Sequence, residues 1–255
     1  ATRVALRDAA LAALRDADSA EEVEVAWQRI AERMDDLFTD PADVEPLRQT
    51  VLQLAVRGRL VPQDEGEEPA SGLIDECRTR SELLLASIGG RKQRALPPPE
   101  PNEILFDAPS GWAWARLDTW FYVSGGLQKS GKRRPVKNTY PYLRVANVQR
   151  GSLELGEISE FELFDGELQR YRLEPGDLLV VEGNGSEREI GRCARWGGEI
   201  EDCVHQNHLI RCRPLWPSLE YFVLLFLNSP SGGHIMKSLA VATSGLDSLS
   251  VGWSP

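Results

Sequence analysis

Few residues of this chain are of the kinds that mark secreted, membrane or metal-binding proteins. Its 255 residues include 4 cysteines and 3 histidines, and no apolar run approaches the roughly 18 residues of a membrane span. The cysteines, at positions 77, 193, 203 and 212, show no disulfide-framework spacing. The first residues alternate charged and apolar side chains, unlike a signal peptide. We therefore expect a soluble cytoplasmic protein with reduced thiols and no membrane partner.

The motifs of common enzymes are also missing. The sequence has no P-loop, no dinucleotide-binding glycine fingerprint and no Asn/Asp-Pro-Pro-Phe/Tyr tetrapeptide of adenine methyltransferases. Asp177 and Glu182 are similar to the two carboxylates of a divalent-metal nuclease, but Asn184 occupies the position of its lysine. Their odd spacing on one predicted strand directs the two side chains to opposite faces.

Four zinc-competent side chains lie within ten residues, at Cys203, His205, His208 and Cys212. On a strand, the first two would face one side and the last two the other, and the spacing matches no known zinc module. A buried strand with ordinary cysteines is the favoured interpretation, so we predict no metal site and no catalytic residue.

Positive charge is concentrated in one segment of an otherwise acidic protein. The formal net charge is −10, yet residues 129–150 contain no Asp or Glu. A polyanion such as DNA would bind a segment of this kind through its phosphates. The alternative is a solvated surface loop balanced by carboxylates elsewhere. The basic residues are Lys129, Lys132, Arg133, Arg134, Lys137, Arg144 and Arg150.

Apolar residues recur at helical spacing through residues 1–95. Ser19 and Glu22 form a capping box, Asp40 caps a second helix that ends near Gly58, and Ser71 opens a third. Their narrow apolar stripes pack into an intramolecular bundle or against a partner protein, and the bundle is favoured. Leu47, Val51, Leu54 and Leu84 lie on these stripes and are the candidate docking residues.

A proline-rich segment, residues 96–110, predicts an extended connector. Beyond it, residues 111–255 predict a globular mixed α/β domain, so the whole chain is an α/β (α+β mixed) protein. One helix is expected from Leu219 to Leu227. The predicted strands cover residues 112–117, 140–148, 177–182, 190–196 and 204–213.

Three polar loops of this domain carry groups that distinguish base edges. Asn and Gln can bond adenine bidentately, and Arg can bond guanine in the same way. Each loop alone is more typical of a structural turn, in which Gln206 and Asn207 would satisfy backbone groups. The candidate base-reading residues are Asn184, Ser186, Arg188, Gln206, Asn207, His208 and Ser244.

Eight segments, in order, resemble the specificity (S) subunit of type I restriction-modification systems. The first, residues 47–64, is accompanied by 68–71 and the proline-rich 96–101. The resemblance covers roughly residues 40–250. The other seven segments are residues 111–118, 140–148, 173–179, 183–186, 206–211, 226–230 and 243–246.

The resemblance implies a non-catalytic reader of double-stranded DNA. In that family, two target recognition domains each read half of a split target, and long helices dock the methyltransferase (M) subunit. A restriction and translocase (R) subunit joins for cleavage. S-adenosylmethionine, ATP and Mg²⁺ would belong to those partners, so no cofactor is expected here.

This chain holds one recognition domain, at residues 111–255, and therefore looks like half a subunit, truncated or naturally split, which self-association could complete. Two other classes of function stay open. The first is a stand-alone metal-dependent nuclease that uses Asp177 and Glu182. The second is a protein-interaction module that does not bind DNA.

Overall fold

A computed structural model describes residues 2–64, 66–88, 96–182, 189–243 and 246–249. Its helices are α1 Arg3–Arg15, α2 Ala20–Ala31, α3 Met34–Leu37, α4 Val44–Val56, α5 Ala70–Ile88, α6 Leu117–Trp120, α7 Glu167–Tyr171, α8 Leu219–Asn228 and α9 Pro230–Leu239. Its strands are β1 Phe121–Ser124, β2 Thr139–Leu143, β3 Ser159–Glu162, β4 Leu178–Val181, β5 Cys193–Arg195, β6 Val204–His205, β7 Leu209–Pro214, β8 Ala240–Thr243 and β9 Leu246–Leu249. The expected mixed α/β class is confirmed. Among the described helices, none is both long and apolar enough to cross a membrane.

Local capping sets the limits of the first helices. Ser19 accepts a hydrogen bond from the Glu22 N–H at the start of α2, as its spacing predicts. Gly58 follows α4 with φ of +68°, where a Cβ atom would lie 2.5 Å from Pro109 Cγ. The helix that Ser19 opens is short, because α2 ends at Ala31 and the separate helix α3 begins at Met34.

Helices α1, α2 and α4 pack around an apolar cluster of their own. Leu14, Ile30 and Leu54 are almost completely buried in it. Asp43, also buried, accepts hydrogen bonds from Arg3 and Arg7 and so ties α1 to the turn before α4. The Arg3 hydrogen bond is the main reason why the pKa of Asp43 lies below its usual value.

A four-stranded antiparallel sheet, in the order β1-β7-β4-β5, forms the centre of the C-terminal part. Leu178 and Val180 of β4 face the cluster that includes α8 and α9. Leu179 and Val181 face the opposite cluster, which includes Trp196. Burial on both faces explains why β4 is continuously apolar rather than alternating.

A second sheet has the order β3-β2-β6. Strands β2 and β3 are antiparallel and pair Thr139 with Glu162 at one end, whereas β2 and β6 are parallel. Strands β8 and β9 form a separate antiparallel pair. At the Thr139–Glu162 end, where β6 does not pair, β2 and β3 support the basic segment described below.

The N-terminal helices pack directly on the C-terminal part. Gln53 of α4 donates to Ser231 Oγ at 2.6 Å and accepts from the Ser231 N–H at 3.1 Å. The predicted strand at residues 112–117 is wrong, because no strand forms there. Trp112 instead forms a T-shaped ring contact with Phe222, and Trp114 forms one with Phe106.

Candidate nucleic-acid interface

Residues 128–138, which we call the basic loop, are anchored by Arg133. This guanidinium donates to both carboxylate oxygens of Glu167, at 2.6 and 2.7 Å. It also lies 4.8 Å from the centre of the Phe164 ring and 5.6 Å from that of Phe161. Only 14% of the Arg133 side chain is exposed. Arg133 therefore serves mainly to hold the loop, whereas the sequence alone groups it with the phosphate-binding residues.

A second carboxylate, that of Glu162, fixes the other end of the basic loop. Its oxygens accept hydrogen bonds from three successive backbone N–H groups, those of Val136, Lys137 and Asn138, at 2.9, 3.1 and 2.9 Å. These bonds, led by that of Val136, lower the pKa of Glu162. The pKa of Glu167 is lowered likewise, chiefly by its hydrogen bond from Arg133. Both carboxylates are thus ionised at neutral pH.

Four cations remain on the outer side of the anchored loop. Lys129, Lys132, Arg134 and Lys137 are all exposed. Because Glu162 holds the loop backbone and Glu167 holds the Arg133 side chain, these cations start from a restricted set of positions. A restricted loop loses less conformational entropy when it binds a ligand than a free loop does. The arrangement suits a repeating anion.

The residues 205–208 turn lies beside the stem of the basic loop. Leu127 donates to the His205 carbonyl at 2.8 Å and accepts from the Asn207 N–H at 3.1 Å. Gly126 permits this approach, since a Cβ atom there would collide with His205 and with the Gln206 carbonyl. Candidate phosphate-binding and base-reading segments are therefore neighbours in space, although some eighty residues separate them in the sequence.

The side chains of this turn have different environments. Gln206 is half-buried and its Oε1 accepts a hydrogen bond from the Val145 N–H at 3.4 Å. One polar atom of this side chain therefore satisfies a backbone group, as the structural interpretation of the turn expects. Asn207 is half-buried and His208 is exposed. His205 is completely buried, and burial with the nearby charge of Arg211 lowers its pKa to about 3. It is a neutral core residue.

Glu182 connects the end of β4 to the same turn. Its backbone N–H donates to the His208 carbonyl at 3.0 Å, and its carboxylate lies 3.9 Å from His208 Nδ1. Burial raises the pKa of Glu182, and the neighbouring His208 partly opposes that shift. Asn184, Ser186, Arg188 and Ser244 lie outside the described residues.

Asp177 is not available to a metal ion. It is fully buried, and its two carboxylate oxygens accept from Arg213 Nε and Nη2, both at 2.8 Å. It also accepts from the Glu174 N–H at 2.8 Å. The nuclease interpretation therefore loses one of its two ligands to a structural ion pair. Across the described residues, no three His, Cys, Asp or Glu side chains are placed to hold a metal ion.

The cysteines of the suggested zinc set are separated in the fold. Cys203 lies in the cluster around Trp196, whereas Cys212 lies on the other side of the four-stranded sheet. Both are buried free thiols whose pKa burial raises to about 12. They are apolar core residues at neutral pH.

Besides Arg213, two further buried arginines were not singled out by the sequence. Arg192 donates to the Val145 carbonyl at 2.9 Å and pairs with Glu189, so it joins the segment before β5 to the segment after β2. Arg211 donates to the carbonyls of Arg172 and Arg170. Nothing in the sequence distinguishes these arginines from exposed ones, since the carbonyl groups to which they donate are distant in the chain.

The four candidate docking residues have unequal exposure. Leu54 is 1% exposed and belongs to the bundle core with α1 and α2, so its assignment to a docking surface is corrected. Leu47 packs against the same cluster and is half-buried. Val51 and Leu84 are half-buried as well. On α5, Leu83 next to Leu84 is 67% exposed.

Comparison with known proteins places these observations in one family. No protein-family model matches the chain. The specificity subunit of the type I restriction enzyme EcoEI from Escherichia coli is 35% identical over 209 residues, which is 78% of this chain and 35% of that protein. The EcoAI specificity subunit from the same species is 41% identical over 172 residues, 67% of this chain and 29% of the relative.

A third specificity subunit, that of EcoKI from Escherichia coli strain K12, is 33% identical over 116 residues, which is 44% of this chain and 24% of the relative. The chain therefore spans about a third or less of the length of the relatives it matches. Their names agree with the resemblance seen in the sequence segments, which is confirmed.

Proposed function

Because the chain belongs to the family of type I restriction enzyme specificity subunits, we propose that it supplies DNA sequence recognition to a type I restriction-modification complex. Residues 111–255 would be one target recognition domain and would read one half of a bipartite target. Adenine methylation, ATP use and cleavage would belong to the M and R subunits, which would bind S-adenosylmethionine, ATP and Mg²⁺.

The anchored basic loop is the observation that carries this proposal. Lys129, Lys132, Arg134 and Lys137 are exposed on a loop that Glu162 and Glu167 hold in place. Each Lys or Arg that contacts a DNA phosphate displaces condensed counterions, which gives binding that weakens steeply with salt. Such contacts position a protein on the duplex without reading its sequence.

Sequence reading is assigned to the neighbouring turn. Gln206, Asn207 and His208 lie next to Leu127 at the base of the basic loop. Amide groups that are fixed at one atom and exposed at another can present a defined donor and acceptor pattern to a base edge. Asn184, Ser186, Arg188 and Ser244 stay candidates for the same role from their sequence alone.

The helices are proposed to dock the M subunit. Leu84 and Leu83 on α5 offer the apolar surface for this contact, because the side chain of Leu83 is largely exposed. Leu47 and Val51 would contribute at the margin of the bundle. Self-association of two such chains would bring two recognition domains together, as a bipartite target requires.

Salt-dependent binding to duplex DNA tests the basic loop. The triple variant Lys132→Ala, Arg134→Ala, Lys137→Ala removes three exposed cations and leaves Arg133 in place. If all three contact phosphates, the slope of log affinity against log salt should become shallower by about 2.7, from roughly 0.9 per contact. Cognate and random duplexes should lose affinity alike at low salt.

The matched control removes three exposed cations elsewhere, with Arg33→Ala, Arg48→Ala and Arg78→Ala on the N-terminal helices; between 51% and 69% of each side chain is exposed. Its slope should stay at the wild-type value. Equal slopes for the two triple variants would mean that net charge, and not the loop, governs binding. Absence of any DNA binding, with capture of an M subunit intact, would favour the protein-interaction module.

A further inference from the structure

Val136 is the most exposed large apolar side chain among the residues whose burial the structure describes. Its side chain is 84% exposed, compared with 67% for Leu83 and 66% for Val61. Single exposed apolar residues are ordinary on protein surfaces. The position of Val136 is unusual, because this exposed apolar residue lies within the basic loop, between Pro135 and Lys137.

The backbone of Val136 is held in position although its side chain is not. Its N–H donates to Glu162 at 2.9 Å, and the next two N–H groups donate to the same carboxylate. Pro135 has a fixed φ and keeps the preceding Arg134 in an extended conformation, with ψ of 133°. Glu162 itself pairs with Thr139 at the end of the β2–β3 ribbon. The valine is therefore presented at the end of the β2–β3 pair that the third strand, β6, does not reach.

The cations around Val136 favour a ligand that is a polyanion and that also exposes an apolar group. Lys132, Arg134 and Lys137 are exposed around it. The major groove of DNA is about 12 Å wide and admits a two-stranded β-ribbon. Its apolar feature is the C5-methyl group of thymine, which small apolar side chains contact. Side chains that wedge between base steps are generally larger than valine.

We propose that Val136 reads a thymine by contact with its C5-methyl group in the major groove, while the surrounding cations bind the flanking phosphates. This inference rests on the proposed function and adds a specificity-determining residue to it. Val136 carries no hydrogen-bonding group on its side chain, so the discrimination would come from the apolar contact alone.

The test removes the methyl groups of Val136 and the methyl group of thymine, separately and together, and compares the binding affinities. Duplexes that the wild-type chain enriches from a randomised pool are synthesised once with thymine and once with uracil, which lacks the methyl group. Wild type should bind the uracil duplex about 4-fold more weakly if one methyl group is buried. The Val136→Ala variant, which loses both γ-methyl groups but keeps Cβ, should discriminate between the two duplexes less than wild type, and the Val61→Ala control should discriminate as wild type does.

Each other outcome overturns the inference. Equal wild-type affinity for both duplexes, or unchanged discrimination by Val136→Ala, would exclude the methyl contact. The proposed function would still hold in that case if the chain bound DNA in a salt-sensitive way. Loss of M-subunit capture by Val136→Ala, with normal discrimination, would assign the valine to a protein interface. A wild-type chain that binds no duplex would overturn the proposed function together with the contact.

Discussion

Replacement of Asp177 by alanine should destabilise the fold rather than abolish a reaction. Asp177 is 0% exposed and Arg213 is 7% exposed, and two hydrogen bonds of 2.8 Å join them. Removal of one partner leaves a buried charge without its main counterion, which costs about 3–5 kcal/mol. Glu174 lies 2.8 Å from Arg213 and is half exposed, so it compensates in part and places the expected loss near the lower limit.

Urea denaturation followed by circular dichroism measures this loss as a change in the free energy of unfolding. Asp75→Ala provides the control, since 85% of that side chain is exposed, and a surface change of this kind should alter stability by less than about 0.5 kcal/mol. The double variant Asp177→Ala, Arg213→Met should lose less stability than the sum of the two single variants, because it removes both members of one pair.

The reasoning fails if Asp177→Ala changes the unfolding free energy by no more than the Asp75→Ala control. It fails equally if the wild-type chain cleaves DNA in the presence of Mg²⁺ and Asp177→Ala alone removes that activity. Either result would mean that Asp177 is available to a ligand and is not committed to Arg213.

Three further variants test neighbouring parts of the account. Burial raises the pKa of Glu182, so the ionised carboxylate opposes folding above that pKa. The Glu182→Gln variant should therefore have a higher melting temperature than wild type at neutral pH, and the difference should shrink as acid protonates the wild-type carboxyl group. A difference that does not depend on pH would contradict this reasoning. Gln206→Ala should cost about 1–3 kcal/mol on a cognate half-site and much less on random DNA, whereas an equal loss on both, or a large fall in melting temperature, would refute base reading. Leu84→Asp should weaken capture of the M subunit without changing the helix content of the protein, whereas Leu54→Asp should lower the helix content because Leu54 is buried. If the folded Leu84→Asp variant captured the M subunit normally, the docking surface would lie elsewhere.

Features set by nearby residues could be predicted from the sequence. Ser19 caps α2 and Gly58 ends α4, because a hydroxyl or a positive φ acts within one helical turn. The apolar run of β4 also predicts a strand that is buried on both faces. Helix α9 was missed because Gly232 and Gly233 lower its helix propensity; Gly232 is needed where the chain crosses the end of α8.

Distant partners decided the features that the sequence could not predict. Arg133 has the same charge as its neighbours, and only Glu167, which lies beyond β3, makes it an anchor rather than an exposed cation. Trp112 and Trp114 alternate with smaller residues as in a strand, but their rings pack on Phe222 and Phe106. Tertiary contacts thus overrode a pattern of period two.

The proximity of the basic loop to the 205–208 turn is also a tertiary feature. The charge cluster and the amide-rich turn were each visible in the sequence, and both were candidates for DNA contact. Their adjacency depends on the hydrogen bonds of Leu127 with His205 and Asn207, which no spacing encodes. Glu182 and His208 are neighbours because the pairing of β4 with β7 continues to the Glu182 N–H and the His208 carbonyl.

The most direct test of the central claim is selection from a randomised duplex pool by the wild-type chain together with an M subunit from the same organism. The account predicts that the recovered duplexes share one short half-site motif, and that Gln206→Ala relaxes the preference at one position of that motif. Recovered duplexes that are as random as the starting pool, although DNA is bound, would contradict the claim that this chain reads sequence.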